Sequence, residues 1–125
     1  MAADFPAVFE TLKTAFGQHP DRLIVQADTP SLFNLNSRVP SPFPQHKGQP
    51  MWFGAVRLGR AYVSFHLMPL YMNPRLLSLV SPALRKRMQG KTCFNFKAAP
   101  DPELLDELSQ LVDAALKDWA ANKFL

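Results

Sequence analysis

Residues 51–68 read MWFGAVRLGRAYVSFHLM, two runs of alternating side chains on either side of Gly59 and Arg60. Period-two alternation sends successive side chains to opposite faces of a pleated strand, and a glycine-containing break between two such runs turns the chain back on itself. The stretch predicts a β-hairpin, with 51–58 paired to 61–68 across Gly59 and Arg60. Its first strand has two competing frames, because Trp52 and Phe53 are adjacent and only one can lie on the apolar face. Arg57 faces either way, depending on that choice.

Working outward, the same period appears at 23–28 and 32–36, joined through Thr29 and Pro30, and again at 92–97. Beyond the strands the period lengthens to that of a helix. Phe5, Val8, Phe9, Leu12 and Phe16 form one stripe, with Asp4 as N-cap, Pro6 in the first turn, and Gly17 and Pro20 as stops. Asp101 and Pro102 open a second helix, whose stripe of Leu104, Leu105, Leu108, Leu111, Val112, Ala115, Leu116 and Trp119 is the longest in the chain. Asp106, Glu107, Asp113 and Asp118 take its outer, solvated face.

The chain has twelve prolines, and their positions speak against a flexible linker. Asn73 with Pro74 and Ser81 with Pro82 repeat the cap-then-proline signature of Asp101 with Pro102, so they predict two short helices, the second stopped by Gly90. Pro40, Pro42, Pro44 and Pro50 crowd the segment 37–50, read as a loop long enough to be a lid or a disordered excursion. The resulting fold class is α+β: a two-layer domain spanning residues 1–125, with an antiparallel sheet of about five strands. The N- and C-terminal helices pack on one face, and short helices lie between the last two strands.

At 125 residues with 47% hydrophobic content, the chain can bury a core of its own. No apolar run approaches the roughly 20 residues that span a bilayer. The single cysteine, Cys93, cannot form an internal disulfide, and the first residues lack the basic-then-apolar pattern of a secretory signal. These features predict a cytoplasmic domain with no membrane partner.

Charge is segregated along the chain. Residues 29–100 hold ten Lys or Arg and no Asp or Glu, while the flanking segments carry net charges of −2 and −4, for +4 overall. A field of that sign concentrates anions. Dividing the sheet by parity assigns Leu23, Val25, Ala27, Phe33, Leu35, Val56, Leu58, Val63, Phe65, Leu67, Phe94 and Phe96 to the core. The opposite face receives Gln26, Asn34, Asn36, Arg57, Tyr62, Ser64, His66, Met68, Cys93, Asn95 and Lys97. From this polar set, Asn34, Arg57, Tyr62, His66, Asn95 and Lys97 are the candidate ligand-binding residues, suited to orienting a small polar or anionic ligand under the segment 69–91.

Other chemistries find less support. Arg85, Lys86 and Arg87 turn by about 100° per residue on a helix, so they cannot converge on one phosphate. Exposed aromatics interleaved with the cations are limited to Tyr62 and Tyr71, which disfavours nucleic acid. Gly90, Lys91 and Thr92 resemble the end of a phosphate-binding loop, but Arg85 stands where its first glycine belongs. His19, His46 and His66 lack metal-ligand spacing, so no metal and no cofactor is assigned. No catalytic residue is assigned either. The one nucleophilic arrangement is Cys93 in a basic neighbourhood, with His66 to assist it if their strands adjoin and the thiol pKa is lowered; a packed thiol is the plainer reading.

The runs YVSFHLMPLYMN at 62–73 and GKTCFNFK at 90–97 resemble the YdhG-like family of small bacterial proteins of unknown function, and the similarity extends from Leu23 to the last helix. The resemblance implies an α+β fold. Because some members are described as frataxin-like, it also implies an iron-binding accessory role in iron–sulfur cluster assembly. A frataxin-type site uses an acidic ridge on the first helix, where this chain offers Asp4 and Glu10, and no family site maps residue by residue. The expectations in order are therefore binding of a small polar or anionic ligand or a partner on the open sheet face, then iron handling, then thiol-dependent catalysis.

Overall fold

A computed structural model describes residues 4–16, 23–40, 43–89, 93–122 and 124. The expected stops at Gly17, Pro20 and Gly90, the strand start at Thr92 and the side chain of His19 lie outside them. The chain runs from α1 (Phe5–Lys13) through a 3-10 turn (Thr14–Phe16) into four strands, β1 (Leu23–Asp28), β2 (Leu32–Pro40), β3 (Pro50–Leu58) and β4 (Val63–Leu67). Helix α2 (Pro69–Met72), a 3-10 segment (Pro74–Leu79) and α3 (Pro82–Arg85) lead to β5 (Met88–Gln89), β6 (Cys93–Phe96) and α4 (Pro102–Ala121).

The strands form one antiparallel sheet in the order β1-β2-β3-β4-β6-β5. It has six strands, one more than the alternation showed. The additional strand, β5, is two residues long and pairs Met88 with Phe94 and Gln89 with Cys93, too short to display any period.

Capping follows the side-chain chemistry. The carboxylate of Asp101 accepts the Leu104 N–H at 2.8 Å, and the side chains of Asn73 and Ser81 accept from Arg75 and Leu84. Each satisfies a donor that the helix start leaves open. Among the described residues no helix is long and apolar enough to cross a membrane.

Both long helices cover one face of the sheet. Phe16, Phe53, Phe65, Phe94, Phe96 and Trp119 are fully or almost fully buried there. Phe16 is at the centre, stacked on Phe65 with ring centroids 4.7 Å apart, while Trp119 meets Phe53 edge-on at 5.3 Å. Burial of such a side chain stabilises the fold by about 1.5–3 kcal/mol, with an additional about 0.5–1.5 kcal/mol for well-oriented aromatic pairs.

Two bulges decide which side chains reach that core. In β3 the register steps from Leu35↔Gly54 to Asn36↔Trp52, leaving Phe53 as the extra residue. A bulge resets the alternation. Met51 and Phe53 therefore point inward on one side of it and Gly54 and Val56 on the other, while Trp52 and Arg57 face outward. In β1 a second shift between Val25 and Ala27 makes Gln26 the extra residue.

The β1 bulge corrects one core assignment, and the strand's place at the sheet edge another. Ala27 pairs with Asn34 on the open face, and Asp28, displaced to the helix side, meets Lys13 of α1 at 2.8 Å. Val25 keeps its frame opposite Leu35 but is 46% exposed, since β1 is an edge strand. Leu58, at the end of β3, is only half-buried.

The segment 37–50 also differs from the expected loop. Backbone pairing continues to Pro40↔Pro50, and Ser37 is buried, its hydroxyl donating to the Phe124 carbonyl. The described part of the connection contains a 3-10 turn at Pro44–His46 closed by Lys47 at φ 51° and Gly48 at φ 79°. Conversely, the hairpin connection is longer than two residues: Leu58 pairs with Val63, and Gly59 donates its N–H to the Tyr62 carbonyl at 3.0 Å.

Candidate functional site

The face opposite the helices carries the candidate residues, and the antiparallel registers align them in rows. Arg57 of β3, Ser64 of β4 and Asn95 of β6 are cross-strand neighbours; so are Ala55, His66 and Cys93 in the next row. Adjacent strands lie about 4.8 Å apart, so three successive side chains in a row converge on one patch. The patch is a groove of about 660 Å³, walled on one side by the β3–β4 connection with Arg60 and Tyr62 and on the other by Gln89 of β5.

Of the six expected site residues, the structure gathers four in this groove: Arg57, Tyr62, His66 and Asn95. Asn34 shares the face but lies beyond Ala55, outside the groove, and is half-buried. Lys97 is exposed, past the end of β6, and also lies outside it. Ser64 and Cys93, both on the expected polar face, line the groove. Arg60 and Gln89 were missed: one was read as a turn residue, the other as part of a short helix. Arg60 had a visible signal, a second arginine three residues after Arg57, whereas Gln89 is recruited only through the pairing of β5.

The floor is internally hydrogen-bonded. His66 Nε2 lies 3.0 Å from Ser64 Oγ and 4.0 Å from Cys93 Sγ, and the thiol donates to Asn95 Oδ1 at 3.3 Å. Burial, with the Arg57 guanidinium acting in the same direction, holds His66 below its ordinary pKa, while burial alone pushes Cys93 up. Desolvation penalises whichever form carries charge, hence the opposite signs. The shift on Cys93 is opposite to the lowered thiol pKa that a basic neighbourhood suggested: the nearby cations remain in water, while the thiol is half-buried.

Among the described residues no Asp or Glu lines the groove. Among the described residues neither Arg57 nor Arg60 has an ion-pair partner; the ion pairs of Lys13 with Glu10 and Asp28 lie on the helix side. Arg85, Lys86 and Arg87 do not share a helix, since α3 ends at Arg85 and the next two residues form a turn, yet the cations are dispersed. Arg85 donates to the Leu77 and Val80 carbonyls, and Arg87 sits 5.8 Å from the Phe96 ring centroid.

The acidic residues of α4 are partly committed elsewhere. Asp118 accepts from Asn73 at 2.6 Å and Glu107 from Ser81. Among the described residues, no three His, Cys, Asp or Glu side chains come together where a metal ion could be held.

No family model matches the chain, and no curated protein or solved structure matches it significantly.

Proposed function

We propose that the domain binds a small polar or anionic molecule in the groove between the β3–β4 connection and β5. The carrying observation is the convergence of Arg57, Ser64, His66 and Asn95 on a concavity that, among the described residues, holds two arginines without an ion-pair partner and no carboxylate in its lining. Arginine presents a fork of donors that matches carboxylate and phosphate oxygens. Asn95, Ser64 and Tyr62 add neutral hydrogen-bonding groups that fix orientation in sites of this size. The reading is of binding, because the groove's one nucleophile is pushed toward its neutral form. A reducing, cytoplasmic setting belongs to the same reading, supported by the single unpaired thiol.

The test is thermal stabilisation by small anions, since any ligand favouring the folded state raises its melting temperature. Phosphate and small dicarboxylates should stabilise the wild-type protein, the Arg57→Gln and His66→Gln variants should respond less, and Lys97→Gln, a charge-matched control outside the groove, should respond as wild type. Equal responses from Arg57→Gln and Lys97→Gln would reduce the effect to overall charge and remove the proposal.

A further inference from the structure

A second concavity adjoins the groove. Where β3 begins and β4 ends, Phe43, Met51, Trp52, Met68, Tyr71 and Met72 surround a hollow of about 520 Å³, with Gln45 and Gln49 at its rim and, among the described residues, no charged side chain in its lining. That volume lies in the range of small-molecule sites, and methionines adapt their shape to apolar guests. Trp52 links the two concavities. It lines the hollow, and its ring centroid lies 5.7 Å from that of His66, which lines the basic groove. The indole is held in place by its own N–H, which donates to the Gly54 carbonyl at 3.1 Å.

Ser64 and His66 of β4 line the groove, and Met68, the residue that follows the strand, lines the hollow, so the two concavities succeed one another along the chain. Arg57 is paired with Ser64 at the far end. A molecule with its charge at Arg57 would therefore extend past His66 and Trp52 into an uncharged hollow. Resting on the anion reading of the groove, we infer that the two concavities form one bipartite site for a small amphipathic anion, a carboxylate with a medium-length apolar body. Charge complementarity places the head, and the uncharged lining of the hollow places the tail. A free inorganic anion would use the first half only.

Titration calorimetry with inorganic phosphate, a straight-chain series from hexanoate to decanoate below micelle formation, and 1-decanol separates these cases. The dissociation constant should fall about two- to fourfold per added methylene, and decanol should bind more weakly than decanoate. Tyr71→Glu puts a charge at the mouth of the hollow on a side chain that is 63% exposed, so the fold tolerates it. It should flatten the chain-length series and leave phosphate binding unchanged, whereas Arg57→Gln should weaken phosphate and the whole series alike.

A flat series beside Arg57-dependent phosphate binding overturns the bipartite site and leaves the groove reading standing. A steep series that Tyr71→Glu does not flatten overturns it as well. No binding of any anion removes both readings.

Discussion

His66 and Cys93 stand opposite each other on β4 and β6, with the imidazole Nε2 4.0 Å from the thiol sulfur. Proximity alone does not make a nucleophile. A thiolate–imidazolium pair requires the proton to pass from sulfur to nitrogen. Here the thiol is pushed up by burial, and the imidazole is pushed down by burial and by Arg57. Both shifts keep the pair neutral, so the arrangement favours a polar lining over an attacking group.

The acid limb of stability should report this. A histidine whose folded pKa lies below its ordinary value of 6.5 contributes stability that is full above that value and is lost as pH falls through the folded pKa. Between about pH 7 and pH 5, the wild-type melting temperature should fall more steeply than that of His66→Gln. Arg57→Gln, which removes the neighbouring like charge, should give an intermediate slope. Identical slopes for wild type and His66→Gln would contradict the shift.

The thiol makes the complementary prediction. Its folded pKa lies above the ordinary value of 9.0, so at mildly alkaline pH Cys93 should react with iodoacetamide more slowly in the folded protein than in urea, given that the thiolate is the reactive species. Faster alkylation in the folded state would revive the nucleophile reading.

Gly54 is fixed by its neighbours. A Cβ there would lie 2.7 Å from the His66 carbonyl oxygen and 2.9 Å from the Phe16 ring. The first is backbone of a paired strand and the second the centre of the aromatic core, so neither yields cheaply. Gly54→Ala should destabilise by about 1–3 kcal/mol in urea titration, and a neutral result would mean that β3 and β4 separate more easily than their register implies.

Asn73 joins the segment between β4 and β5, which packs on the helix side and does not cover the groove, to α4. Its amide donates to Asp118 at 2.6 Å while its oxygen accepts the Arg75 N–H at 3.2 Å. Asn73→Ala loses a charge-assisted bond and a cap together, so the expected cost is about 2 kcal/mol. A double-mutant cycle with Asp118→Ala should give a coupling of about 1 kcal/mol; zero coupling would make the contact incidental.

Much of the fold was legible because its signals are local. The cap-then-proline pairs at Asn73, Ser81 and Asp101 each begin a helical segment as expected, since an N-cap works within a few residues of itself. The alternation in 51–68 placed His66 and Arg57 on candidate strands for the same reason. The failures fall where pairing decides. Ala27 and Val25 were misassigned by a bulge and an edge, β2 continues into a proline-rich stretch read as loop, and β5 exists only because Cys93 and Phe94 supply its partner.

The hairpin at 51–68 shows the division most clearly. By itself, the sequence determined that two strands form there, that one face is apolar, and that residues 29–100 around them carry no Asp or Glu, because periodicity and composition are properties of the chain. It left open whether Trp52 or Phe53 enters the core, and with that the direction of Arg57. Tertiary structure settles the choice through a single bulge: Phe53 is inserted between Phe16 and Trp119, the alternation resets at Gly54, and Arg57 comes to lie beside Ser64 on the open face. A bulge is paid for by packing across the sheet, between residues far apart in sequence, so no local pattern announces it.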